Sequence, residues 1–83
     1  MNAAIAMTAQ EQTDRRLDLL RRFMLAGLAN PDRFADIPRE ATLFLLPDDD
    51  PVFTEAELRS AYDAARRGAN VYALHIRSRE LPD

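Results

Sequence analysis

Eighty-three residues with a net charge of −3 allow one small domain at most and lack the basic surplus of a general nucleic-acid binder. All 11 basic residues are arginine, which excludes Schiff-base, P-loop and general-base lysines. The absence of cysteine excludes disulfides, thiolate metal sites and cysteine nucleophiles.

The chain is short, so its core is thin: a domain of this size buries only about 60–65% of the surface its unfolded form exposes. The hydrophobic fraction is 47%, but much of it is alanine, which leaves the core to Leu, Ile, Val, Phe and Tyr. No window approaches the ~20 apolar residues of a membrane helix. The first eight residues are apolar but carry no basic leader, so no signal peptide is expected. The expected setting is cytoplasmic, with no membrane contact.

Residues 1–7 read as a flexible tail. Thr8 and Glu11 have capping-box spacing and open a first helix predicted over residues 9–29. Leu17, Leu20, Met24, Gly27 and Leu28 recur at helical spacing with Phe23 beside them, and this stripe is expected to face the core. Arg15, Asp18, Arg21 and Arg22 are expected on the solvated side. Asn30-Pro31 ends the helix and opens a short turn in which Phe34 and Ile37 point inward.

The run Thr42-Leu43-Phe44-Leu45-Leu46 is the element to which the rest of the chain is referred. Both of its alternating sets are apolar, as in a strand covered on two faces, with Leu45 a core residue. Pro47 truncates it and the acidic loop Asp48-Asp49-Asp50 follows. Thr54 and Glu57 form a second capping box, predicting a helix over residues 55–67 with the stripe Leu58, Ala61, Tyr62 and Ala65 inward. Gly68 is its left-handed cap. Residues 70–76 read as a second strand, and residues 78–83 as a polar tail.

The predicted fold is therefore α/β, in one domain over residues 8–77. A helix and a short turn precede a right-handed strand–helix–strand unit with two parallel strands. Two strands make a poor sheet and leave free edges. A homodimer is expected, formed by edge pairing or by packing of apolar faces.

The stretch Ile37-Pro38, then Ala41-Thr42-Leu43-Phe44-Leu45-Leu46-Pro47-Asp48-Asp49-Asp50-Pro51, with Gly68 and the closing strand Val71 to Ile76, resembles an uncharacterised small bacterial α/β domain family. The resemblance covers about three quarters of the chain. It implies a bacterial origin and a similar fold, and it brings no activity, cofactor or site residue.

Chemistry-bearing residues are few. The aspartates 48, 49 and 50 lie beyond the carboxyl end of a strand, where α/β sheets bind ligands, and carboxylates there can hold Mg²⁺ or Ca²⁺. The same residues also suit a plain turn before a helix N-terminus. His75 is the single histidine, and the serines Ser60 and Ser78 lie on no nucleophile elbow. Arg15, Arg16, Arg21 and Arg22 offer contacts to a phosphate backbone, diluted by Glu11, Asp14 and Asp18. Tyr62, Tyr72, Phe44 and Phe53 have core spacing rather than that of a stacking platform. No catalytic, metal or cofactor residue is assigned. The sequence points first to a non-catalytic structural or protein-interaction module, acting as a homodimer or with another protein. A ligand or divalent-metal site at the acidic loop comes second, and a nucleic-acid accessory role third.

Overall fold

The computed structural model describes residues 7–83. The chain runs α1 (Ala9–Ala29), a 3₁₀ turn (Pro31–Phe34), β1 (Thr42–Pro47), α2 (Pro51–Arg66), β2 (Val71–Ile76) and a second 3₁₀ turn (Ser78–Glu80). The two strands pair in parallel, with Thr42 opposite Val71, Leu45 opposite Leu74 and Pro47 opposite Ile76. The strand–helix–strand unit legible in the sequence is thus the observed one. The expectation of a flexible tail over residues 1–7 lies outside the described residues, apart from Met7, which packs against the core.

The start of α1 forms as its sequence demands. The Thr8 hydroxyl accepts from the Glu11 backbone N–H at 3.1 Å, and the Glu11 carboxylate accepts from the Thr8 N–H at 2.9 Å. Each satisfies a donor that the helix start leaves free. After Asn30 the chain turns sharply, and Phe34 stacks on Phe23 with ring centroids 4.1 Å apart.

In α2 the start differs from expectation. Asp50, not Thr54, is the N-cap: its Oδ1 accepts from the Phe53 N–H at 3.2 Å, and Pro51 takes the first helical position. The proline carries no N–H, so it costs the helix start nothing, and an aspartate is as strong a cap as a threonine. The Thr54 hydroxyl donates instead to the Pro47 carbonyl at 2.9 Å and pins the helix to the end of β1. Gly68 ends the helix region with φ +94°, the conformation expected of its cap.

The core joins Leu19, Phe23, Ala26, Leu45, Phe53, Ile76 and Leu81, with Phe34, Ile37, Leu43 and Leu74 packed at its margin. Phe44 and Leu46 are also buried, so β1 is covered on both of its alternating sets. Leu81 corrects the expectation of a polar tail. The second 3₁₀ turn brings this leucine back into the core, and a free tail would leave it in water.

Both helices also correct the expected facing. In α1, Leu19, Phe23 and Ala26 are buried, while Leu17, Leu20, Met24 and Leu28 of the expected inward stripe are exposed. In α2, Phe53, Glu57 and Ala61 are buried, while Leu58, Tyr62 and Ala65 lie outside.

Candidate interaction surface

The inward side of α1 is built from Gln12, Arg15, Arg16, Leu19, Arg22, Phe23 and Ala26, all of which share one side of a 3.6-residue helix. Three of these are arginines, and each holds a different part of the chain. Arg15 Nε donates to Asp50 Oδ2 at 3.1 Å, with Asp49 Oδ1 3.8 Å from its Nη2. Arg16 donates from Nε to both Glu57 oxygens at 3.1 Å and from Nη2 to Oε1. Arg22 donates from Nη2 to the Ser78 carbonyl at 2.8 Å and from Nε to the Pro82 carbonyl at 3.0 Å. An arginine stem covers apolar surface while its planar head seeks oxygens, so a face rich in arginine can dock as firmly as one rich in leucine.

Glu57 is the anchor of this docking. It is 1% exposed, and it also accepts from Gln12 Nε2 at 2.7 Å, while Gln12 reaches Ser60 Oγ at 3.1 Å. A carboxylate sealed this far from water needs paired, hydrogen-bonded charge around it. Its hydrogen bond raises the Arg16 pKa above the ordinary guanidinium range; partial burial opposes the rise and the Glu57 charge adds to it. The sequence places Glu57 in a capping box, a reading that sets it at the surface. The signal that could have found it is a Glu at helical spacing with Phe53 and Ala61.

The remaining sequence candidates are taken up by structure. Asp50 caps α2, Asp48 Oδ1 accepts from the Ser78 N–H at 3.2 Å, and Asp49 stands near Arg15. Asp49 and Asp50 thus share Arg15, while Asp48 turns to the Ser78 N–H. Among the described residues no cluster of three or more His, Cys, Asp or Glu is placed to hold a metal ion. His75 is exposed and borders a cleft of about 270 Å³ shared with Arg33, Arg77 and Glu80. Glu80 already answers both cations there, at 3.2 Å from Arg33 and 3.7 Å from Arg77. Tyr62, expected in the core, is 71% exposed, and Tyr72 is half-buried.

What the arginine-side docking leaves outside is the larger apolar face of α1. Leu17 (59% exposed), Leu20, Met24, Leu25 and Leu28 (80% exposed) line a shallow groove of about 370 Å³ together with Arg21, and among the described residues α1 alone supplies its walls. These five side chains leave roughly 300–500 Å² open to water, as large as the biggest apolar patch of a typical monomer. Arg21 is the exposed arginine of the helix, held by Asp18 Oδ1 at 3.3 Å. Among the described residues no helix is long and apolar enough to cross a membrane.

Comparison with protein families, with curated proteins and with solved structures finds no match to this chain.

Proposed function

We propose that this chain is a non-catalytic protein-interaction module of the cytoplasm that works through the outer face of α1. One observation carries the proposal: the helix puts Arg15, Arg16, Arg22 and a narrow apolar strip into the fold, and leaves its broadest leucine-bearing face in water. Leaving such a face exposed forgoes about 1.5–3 kcal/mol for each large side chain that could be buried. A binding partner recovers that free energy. The lack of cysteine suits a reducing compartment. The alternatives gain less support. The aspartates of the acidic loop already serve α1, α2 and the 3₁₀ turn after β2, and Arg15, Arg16 and Arg22 are engaged within the chain.

The test uses isotope-labelled protein at low micromolar concentration in a concentrated extract of its host cells. Methyl signals of Leu17, Leu20, Met24, Leu25 and Leu28 should broaden selectively, and Leu20→Glu should abolish the effect. A titration with Mg²⁺ or Ca²⁺ serves as the control. Broadening confined to residues 48–53, or shifts there on adding metal, would overturn the proposal in favour of the loop.

A further inference from the structure

We infer that the open edge of β2 takes up an extended peptide of another protein, one that lays an apolar side chain beside Leu74 and a carboxylate on Arg33 and Arg77. This surface is separate from the outer face of α1, and the inference goes beyond the reading given above.

The backbone is the first ground. The Thr42 N–H donates to the Asn70 carbonyl at 2.7 Å, and the Asp48 N–H to the Ile76 carbonyl at 3.0 Å. In a parallel ladder this turns the backbone groups of residues 70, 72, 74 and 76 toward β1 and those of Val71, Ala73 and His75 away from it. Among the described residues no third strand pairs with these outward groups. The two edges of the sheet also differ. Phe44, Leu45 and Leu46 of β1 are buried, whereas Ala73 and His75 of β2 are exposed. Proteins guard an open edge with a bulge, a proline or a charge. Val71–Ile76 pairs in unbroken register and holds no proline, arginine or acid.

The cleft of about 270 Å³ is the second ground, and it sets the chemistry. It takes in His75 and so opens on this edge, with Phe34, Leu74 and Ile76 as apolar walls and Arg33 and Arg77 as cations. Leu74 and Ile76 share one face of β2, so every second side chain of an added strand falls beside them. Glu80 marks where a carboxylate sits: it is 3.2 Å from Arg33 Nη2 and 3.7 Å from Arg77 Nη1. All three groups are exposed, and exposed bridges hold weakly. Two guanidiniums around one carboxylate leave a positive charge for a second acid. Main-chain pairing then supplies the affinity, and the cleft and arginines supply the selectivity.

A second copy meets this demand poorly. Two β2 edges paired antiparallel about Ala73 set Arg77 of one copy opposite Ala69 of the other, and residues 69–76 contain no acid. The carboxylate has to come from a different sequence.

A phage-displayed library of random twelve-residue peptides, panned on the intact chain, tests this. Enriched peptides should carry an apolar residue two positions from Asp or Glu. A synthetic peptide of that sequence should shift the amide signals of Val71, Ala73 and His75 most. Changing its acid to the amide, or Arg33→Gln in the protein, should weaken binding about tenfold. Glu80→Gln should tighten binding, because it removes the competing carboxylate; loss of a merely structural bridge would not. Ala73→Pro deletes an outward N–H without touching the ladder to β1, and it should abolish binding. Should that variant fail to fold, methylation of alternate peptide amides removes the same pairing from the ligand side. Absence of enrichment, enriched peptides without an acid, or weaker binding to Glu80→Gln would overturn the inference. Binding that survives both edge tests, or is lost in Leu20→Glu, would move the peptide to another surface and overturn it too. A dimer that Ala73→Pro dissolves would give the edge to a second copy instead.

Discussion

Leu19 and Leu28 lie on the same helix and have the same side chain, yet one is fully buried and the other is 80% exposed. The difference lies in their neighbours rather than in their own hydrophobicity. Leu19 has Arg15, Arg16, Arg22 and Phe23 on its side of the helix; the arginines find oxygens on the acidic loop, α2 and the C-terminal turn, and Phe23 finds the Phe34 ring on the 3₁₀ turn after α1. Leu28 has Leu17, Met24 and Arg21 on its side, and no other element of the described chain walls that groove. Which face of a short helix docks depends on where the rest of the chain offers complementary groups. In a domain this small, three arginine contacts outweigh a wider run of leucine.

The sharpest way to break the comparison is to truncate both leucines. Leu19→Ala should cost about 2–5 kcal/mol, the range for a buried leucine whose cavity cannot fully collapse. Leu28→Ala should lie within about 0.5 kcal/mol of the parent at low protein concentration, as for an exposed site without special contacts. Thermal or denaturant melts of the two variants check this directly. Equal losses would mean that the two faces are not distinguished in solution.

Arg16→Ala tests the polar half of the docking and should rank next. It removes the main partner of Glu57 and leaves that carboxylate buried with Gln12 alone. Breaking a fully sealed pair costs about 3–5 kcal/mol. The Arg16 side chain is 41% exposed, so water can replace part of what is lost, and about 1.5–3 kcal/mol is the expected loss. Replacing Arg16 and Glu57 together by apolar residues should recover much of it, because the stranded charge goes too. Failure of the double variant to recover would locate the cost in the arginine stem and its packing near Phe44 rather than in the stranded charge.

These contacts also explain what could be foreseen and what could not. The order of elements, the span of α1, the burial of β1 on both alternating sets and the cap at Gly68 follow from signals carried by residues close in sequence. Capping boxes, proline stops and apolar runs act within a few residues, so they survive the loss of three-dimensional context. The facing of the helices does not. The pairing of Arg16 with Glu57 joins two helices, and each looks like a surface charge on its own. Thr54 and Asp50 are both competent caps, and Pro51 settled the choice by fitting the first helical turn. The acidic loop was legible as a turn before a helix. Its division among Arg15, the α2 start and the Ser78 N–H was not. The outer face of α1 is visible in the sequence as an apolar stripe, but nothing within the helix says that it faces water rather than the core.

The smallest effect comes from the end of α1, where a substitution touches neither face. Glu11 accepts from the Thr8 N–H, with a further contribution from the Thr8 side chain, and this holds its carboxyl below the ordinary value of 4.5. A depressed folded-state pKa stabilises the helix start fully above the unfolded pKa, and that contribution is lost as pH falls through the folded value. Glu11→Gln keeps the reciprocal hydrogen bond of the box but removes the charge beside the helix N-terminus. At neutral pH the variant should melt slightly below the parent. The gap should shrink on acidification below the unfolded carboxylate range and close once Glu11 is protonated.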